Sequence, residues 1–234
     1  MKNGILALPT DLLKNIQKYT NVNCLLNTSS KFEHDKYKVY YWKLNEQCSL
    51  KYYNDSKFRD IVNGKMCKTL LQLSLDLSET RIEDISPVKN THTLNLSNCY
   101  NISDVSALGN VHTLILYRCR KIKYVSTLGN VHTLDLSDCS VTDVSALGNV
   151  HTLNLSWCKI EDVSALGNVH TLILHFCRRI EDVSALGNVH TLDLSCCKNI
   201  KDISALGDVY SLNLHNCHNA KNVSALENVV ILIC

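Results

Sequence analysis

From Leu73 onward, apolar and polar positions return in a fixed pattern. His92, His112, His132, His151, His170 and His190 open near-identical segments whose common form is V-H-T-L-x-L-x-x-C-x-(x)-I-x-D-V-S-A-L-G-N. Tyr210 and Val230 continue the series, Leu73 precedes it, and successive openings lie 19 or 20 residues apart. A period of about 20 residues is the mark of a stacked repeat. Within His132–Ser137, Leu134 and Leu136 alternate with polar neighbours, which predicts a short strand with one buried face. Asp143-Val-Ser-Ala-Leu then offers capping side chains for one short turn, closed by Gly148-Asn149. A single unit cannot bury Leu134, Leu136, Val141, Val144, Leu147 and Val150 by itself. Stacked neighbours can, with parallel strands about 4.8 Å apart.

The run Val131-x-x-Leu134-x-Leu136-x-x-Cys139 resembles the leucine-rich-repeat pattern, and the resemblance covers residues 71–234. It implies an α/β leucine-rich-repeat solenoid with a parallel sheet on the concave face. The unit is short, so turns or 3₁₀ pieces are expected on the convex face. Eight units of 19–20 residues and a truncated ninth strand fit in the segment.

Cys99, Cys119, Cys139, Cys158, Cys177, Cys197 and Cys217 share one place in the unit, with Thr80 in the first. In leucine-rich repeats this side chain bonds loop backbone, which implies buried thiols. Parallel, equally directed Cβ vectors fit disulfide geometry poorly. Strand parity places the histidines inward or at the core edge. Rings about 4.8 Å apart disfavour simultaneous charging, so neutral, stacked or hydrogen-bonded imidazoles are expected. No closed tetrahedral ligand set is visible, so neither a metal nor another cofactor is expected.

The outward position between the strand leucines reads Asp76, Asn95, Ile115, Asp135, Asn154, Ile173, Asp193, Asn213, Ile233, or Asp-Asn-Ile three times. The next rows place Tyr117, Arg118, Trp157, His175 and Phe176 close to these isoleucines. Exposed apolar clusters with aromatic and arginine members mark protein interfaces. Tyr117, Arg118, Asp135, Trp157, Ile173, His175 and Phe176 are therefore the candidate contact set for a protein partner. Arg120, Lys121, Lys123, Lys159, Arg178, Arg179 and Lys198 follow the strands, with Glu161, Asp162, Glu181 and Asp182 close by, as a solvated mixed-charge edge.

Charge and composition divide the chain. Residues 1–70 hold 12 basic and 6 acidic side chains, the rest 12 and 16, for a net charge of +2. That balance argues against a bulk nucleic-acid binder. Nine of the 15 aromatic residues fall in the first 70. There Leu8–Tyr19 reads as an amphipathic helix capped by Thr10, and Ser56–Gly64 as a shorter one stopped by Gly64. Leu8, Pro9, Asp11, Leu12, Leu13, Ile16, Tyr19, Leu25, Leu26, Ser30, Lys31, Phe32 and Trp42 resemble an F-box, with Lys36–Tyr40 more polar than most third helices of that family. The resemblance implies that Leu8, Pro9, Leu12, Leu13 and Ile16 contact a Skp-type adaptor of a cullin ubiquitin ligase. A helical cap over the first repeat explains the same residues. Residues 1–70 are thus a helical F-box-like or capping domain, joined to the repeats after a Leu50–Tyr53 linker.

The whole layout resembles proteins encoded by giant DNA viruses of amoebae, marseilleviruses included, which implies action in host cytoplasm or nucleus. No membrane span or export signal is apparent, and the longest apolar run is Val229–Cys234. No G-x-S-x-G, P-loop or H-E-x-x-H occurs, so catalysis is not expected. Asp193, Cys196, His175 and His215 remain the one conceivable Cys/His/Asp cluster. Two functions stay open: an interaction receptor with the F-box as its adaptor end, or a non-catalytic scaffold or inhibitor whose helices only cap the solenoid. Val230, Ile231, Leu232 and Ile233 form an apolar last strand, which implies either self-association as a homodimer through this end or a longer native chain.

Overall fold

The structure is a computed structural model and describes residues 27–31, 39–66 and 71–233. The chain divides into two compact units, one of Met1–Leu77 with Asn90–Asn95, the other of Ser78–Lys89 with Leu96–Cys234.

In the first unit, strand β1 (Asn27–Lys31) runs antiparallel to β2 (Val39–Lys43). Strands β3 (Leu71–Asp76) and β4 (Thr93–Asn95) follow in parallel register. Helix α1 (Glu46–Asn54) is capped by Asn45, whose side chain accepts the Cys48 N–H at 2.9 Å. Helix α2 (Ser56–Met66) opens on Asp55, which accepts the Phe58 N–H at 3.1 Å. Cys48, Tyr52, Phe58 and Val62 are buried, as are Leu73 and Leu75 of β3. Tyr52 reaches this interior because its hydroxyl donates to Asn63 at 2.8 Å. The buried Ser49 hydroxyl accepts the Asp76 N–H at 3.2 Å, joining α1 to β3. Cys48 is disulfide-bonded.

Three sequence expectations change here. Leu50–Tyr53 is not a linker but part of α1, because Asn45 starts a helix upstream of it. Gly64 does not stop α2, which continues to Met66. Val39 and Tyr40 lie in a strand where the F-box pattern has a third helix; Val-Tyr-Tyr-Trp is β-branched and aromatic and suits a sheet. The adaptor-contact residues Leu8, Pro9, Leu12, Leu13 and Ile16 lie outside the described residues.

The second unit is the repeat. Its strands are β5 (Thr113–Ile115), β6 (Thr133–Asp135), β7 (Thr152–Asn154), β8 (Thr171–Ile173), β9 (Thr191–Asp193), β10 (Ser211–Asn213) and β11 (Ile231–Ile233). All pair in parallel, with Leu114, Leu134, Leu153, Leu172, Leu192, Leu212 and Leu232 in one row. Each connection holds one 3₁₀ turn, such as Ser145–Leu147 or Ser164–Leu166, as the short unit requires. The aspartate before each turn organises it. Asp143 accepts the Ser145 N–H at 3.0 Å, and Asp104, Asp162, Asp182 and Asp202 repeat the contact. The backbone N–H of the serine holds Asp104, Asp143 and Asp182 below the usual carboxylate range.

The glycine after each turn has a packing cause. A Cβ on Gly129 would collide with the carbonyl oxygen of Ala146 in the next turn, and one on Gly148 with that of Ala165. Neither glycine has positive φ. The turns stack so closely that only a hydrogen fits between them.

The candidate partner-binding ridge

The cysteine row is structural. Cys119, Cys139, Cys158, Cys177, Cys197 and Cys217 each donate the thiol hydrogen to a leucine carbonyl 22 or 23 residues earlier, at 2.9–3.2 Å. Burial pushes the Cys119, Cys158 and Cys197 thiols up to about 12, and those of Cys139, Cys177 and Cys217 rise for the same reason. These are free thiols, as the sequence implies.

The histidine row corrects the inward expectation: His112, His132, His151, His170 and His190 are exposed. Strands of three residues begin only at the following threonine. Each histidine sits on a bend before its strand, so strand alternation does not reach it, and the preceding valine takes the core place. The rings stack at centroid distances of 4.5–4.6 Å, and Tyr210 extends the stack at 4.7 Å. Each Nδ1 lies 3.2–3.3 Å from the hydroxyl of the next threonine. Desolvation, then the neighbouring His151 and His190, lowers the His170 pKa. The expected stacked, hydrogen-bonded arrangement is thus present, on the surface. Among the described residues no cluster of three or more His, Cys, Asp or Glu side chains is placed to hold a metal ion.

On the other side of each strand, the residue before the ladder cysteine adopts left-handed backbone. Glu79, Asn98, Arg118, Asp138, Trp157, Phe176, Cys196 and Asn216 have φ between 54° and 65°. Asn and Asp tolerate this region; a bulky side chain there is strained by roughly 1–3 kcal/mol. Two aromatic residues nevertheless occupy it side by side. Trp157 is 51% exposed and stacks on Phe176, with ring centroids 3.8 Å apart and planes at 23°. The Arg178 guanidinium lies 3.9 Å from the centre of the Phe176 ring. His175 meets Trp157 edge-on at 5.8 Å.

His175 is itself fixed. Ser195 donates its hydroxyl proton to Asp193 at 2.5 Å, and its oxygen lies 2.7 Å from His175 Nδ1. With its only hydrogen committed to Asp193, Ser195 accepts from His175, which assigns the proton to Nδ1. This is not a nucleophile pair: the serine proton points to the carboxylate and not to the imidazole that would have to take it.

The candidate contact set therefore divides. Trp157, His175 and Phe176 come together, while Ile173, two positions before His175 at the end of β8, is half-buried. Tyr117 and Arg118 form a separate pair at 5.3 Å. Asp135 is occupied, accepting both the N–H and the hydroxyl of Ser137. Arg178, Asp138 and Ser195 were not in the contact set, although the first stacks on Phe176, the second binds Arg118 and the third holds His175. The left-handed row was legible in one respect: Asn98, Asp138 and Asn216 are residues that favour it.

A family model described as Leucine Rich repeat matches residues 149–167. The fold is a leucine-rich-repeat solenoid. No curated protein matches the chain. Similar solved structures are internalins of Listeria monocytogenes. Internalin C2 of strain 4b F2365 is 22% identical over 69% of both chains, with a TM-score of 0.44. The functional domain of InlJ, which includes a cysteine ladder, is 21% identical over 68% of this chain and 38% of that one, with a TM-score of 0.48. InlF of strain 4b F2365 is 18% identical over 70% of this chain and 71% of its own, with a TM-score of 0.37.

Proposed function

We propose that this leucine-rich-repeat chain is a protein-interaction module. The partner lies across the sheet face of the second unit and the aromatic ridge at its edge. The observation that carries the reading is the Trp157–Phe176 stack: an exposed indole on a half-buried phenyl ring, both kept in backbone that disfavours them. Burying such rings against a partner yields far more than leaving them in water, and Trp, Tyr and Arg dominate interface energetics. The contact set is Tyr117, Arg118, Ile173, His175, Trp157 and Phe176, with Asp135 supporting the floor through Ser137.

Peptide-display selection against the folded chain tests this. Sequences enriched on the wild type should lose binding to a Trp157→Asn/Phe176→Asn variant. Enriched sequences that bind both proteins equally would place the docking surface elsewhere.

The finer reading rests on the sequence resemblance. In it the chain is an F-box substrate receptor of a cullin ligase, encoded by a giant virus and acting in host cytoplasm or nucleus, with Leu8, Pro9, Leu12, Leu13 and Ile16 on a Skp-type adaptor. The alternative is a scaffold or inhibitor with a purely capping N-terminus. Size exclusion with light scattering separates them: a one-to-one complex with the adaptor supports the receptor, and none leaves the scaffold. The same run tests a homodimer through Val230–Ile233. A monomer at high concentration removes the dimer.

A further inference from the structure

The ridge that carries Trp157 and Phe176 is also a line of cations. From the repeat of Arg118 to that of Asn219, the positions between the left-handed residue and the next buried hydrophobe hold Arg118, Arg120, Lys121, Lys159, Arg178, Arg179 and Lys198. Asp138 is the single acid among them. It serves two guanidiniums at once, accepting from Arg118 Nε at 3.1 Å and Arg120 Nη2 at 2.6 Å. Burial pushes the other way, yet Arg120 and Arg118 hold the Asp138 carboxyl below its usual range. Arg179 pairs with Glu161 at 2.8 Å.

The remaining cations are uncompensated. Among the described residues, no carboxylate lies within ion-pair distance of Lys159, Arg178 or Lys198. All three stand two residues after the left-handed position of consecutive repeats, after Trp157, Phe176 and Cys196. Stacked strands space them about 4.8 Å apart. Arg178 is held on the Phe176 ring, a geometry that leaves its in-plane N–H donors available to a carboxylate.

We infer that the partner segment docking on this ridge is acidic, with carboxylates on Lys159, Arg178 and Lys198 and an apolar side chain against the exposed Trp157. The inference rests on the interaction reading above and names the chemistry of that partner. A nucleic-acid strand fits less well. Both faces of the Phe176 ring are occupied, by Trp157 and by Arg178, so no base can stack there.

The test uses the full chain and three fluorescein-labelled probes: an alternating Glu-Phe peptide, its Lys-Phe counterpart and oligothymidylate. Fluorescence anisotropy should show binding of the Glu-Phe peptide, weakened by added salt. Arg178→Ala should weaken it by about tenfold, the scale of one charge-assisted contact. Arg178→Glu should shift the preference towards the Lys-Phe peptide, and circular dichroism should show each variant folded. Wild-type protein that binds Lys-Phe as well as Glu-Phe, that prefers oligothymidylate, or that binds no probe overturns the acidic assignment. So does Glu-Phe binding indifferent to Arg178→Glu. Peptide selection on Trp157 and Phe176 would still stand in those cases, so the two readings fail separately.

Discussion

Trp157 stacks on Phe176 with ring centroids 3.8 Å apart, and both residues hold left-handed backbone at φ 65° and 63°. The same row accepts Asn98, Asp138 and Asn216, so the fold does not need aromatic side chains there. A partly exposed stack retained against backbone preference is the physical case for the docking ridge proposed above.

Glycine substitutions separate two backbone roles. Gly148→Ala should cost about 1–3 kcal/mol, because the added methyl meets the Ala165 carbonyl of the next turn and the stacked turns have no room to yield. Gly64→Ala, in α2 with nothing within 4 Å of the new methyl, should stabilise by about 0.5–1 kcal/mol. Urea unfolding of both variants checks this; equal effects would contradict the close-stacking account.

The cysteine row should be chemically silent in the folded chain. The thiolate is the reactive form, and burial holds the Cys119, Cys158 and Cys197 thiols near pKa 12. Iodoacetamide at neutral pH followed by peptide mass mapping should leave the six carbonyl-bonded cysteines unmodified, and label them in denaturant. Labelling of Cys158 in the native protein would refute its burial against the Leu136 carbonyl.

How much of this was legible turns on whether a feature is local to one unit. The leucine rows and 3₁₀ turns follow from the period alone, because stacking is the only way to bury Leu134, Leu136 and Leu147. The cysteine row followed from the family resemblance. The histidine side is not legible from alternation, because a three-residue strand such as Thr133–Asp135 does not extend to His132. Gly148 reads as a turn residue in sequence, while its true constraint comes from the neighbouring turn. Strand β1, Asn-Thr-Ser-Ser-Lys, has no apolar alternation; only its pairing with Val39–Lys43 makes it a strand. The aromatic cluster was visible as composition, but its left-handed backbone and its Arg178 partner needed the fold.

The histidine stack should respond to acid. The folded-state His170 pKa is lowered, so the neutral form stabilises the fold above the unfolded value, near 6.5, and that contribution is lost as pH falls through the folded pKa. Replacing a neighbour, His151→Gln, should raise the His170 pKa by removing one source of repulsion. Proton NMR titration reads both. A wild-type His170 that titrates at or above the ordinary value would contradict the stacked geometry.

The central claim is that the Trp157–Phe176 stack serves a partner and not the fold. Chemical denaturation of the Trp157→Asn/Phe176→Asn variant tests it without knowing that partner. Each asparagine should relieve left-handed strain of about 1–2 kcal/mol, against loss of a stack worth about 0.5–1.5 kcal/mol beyond its buried area. The expected result is a variant at least as stable as the wild type. A loss of more than about 2 kcal/mol would show that the aromatic pair holds the solenoid together and would contradict the docking-ridge account.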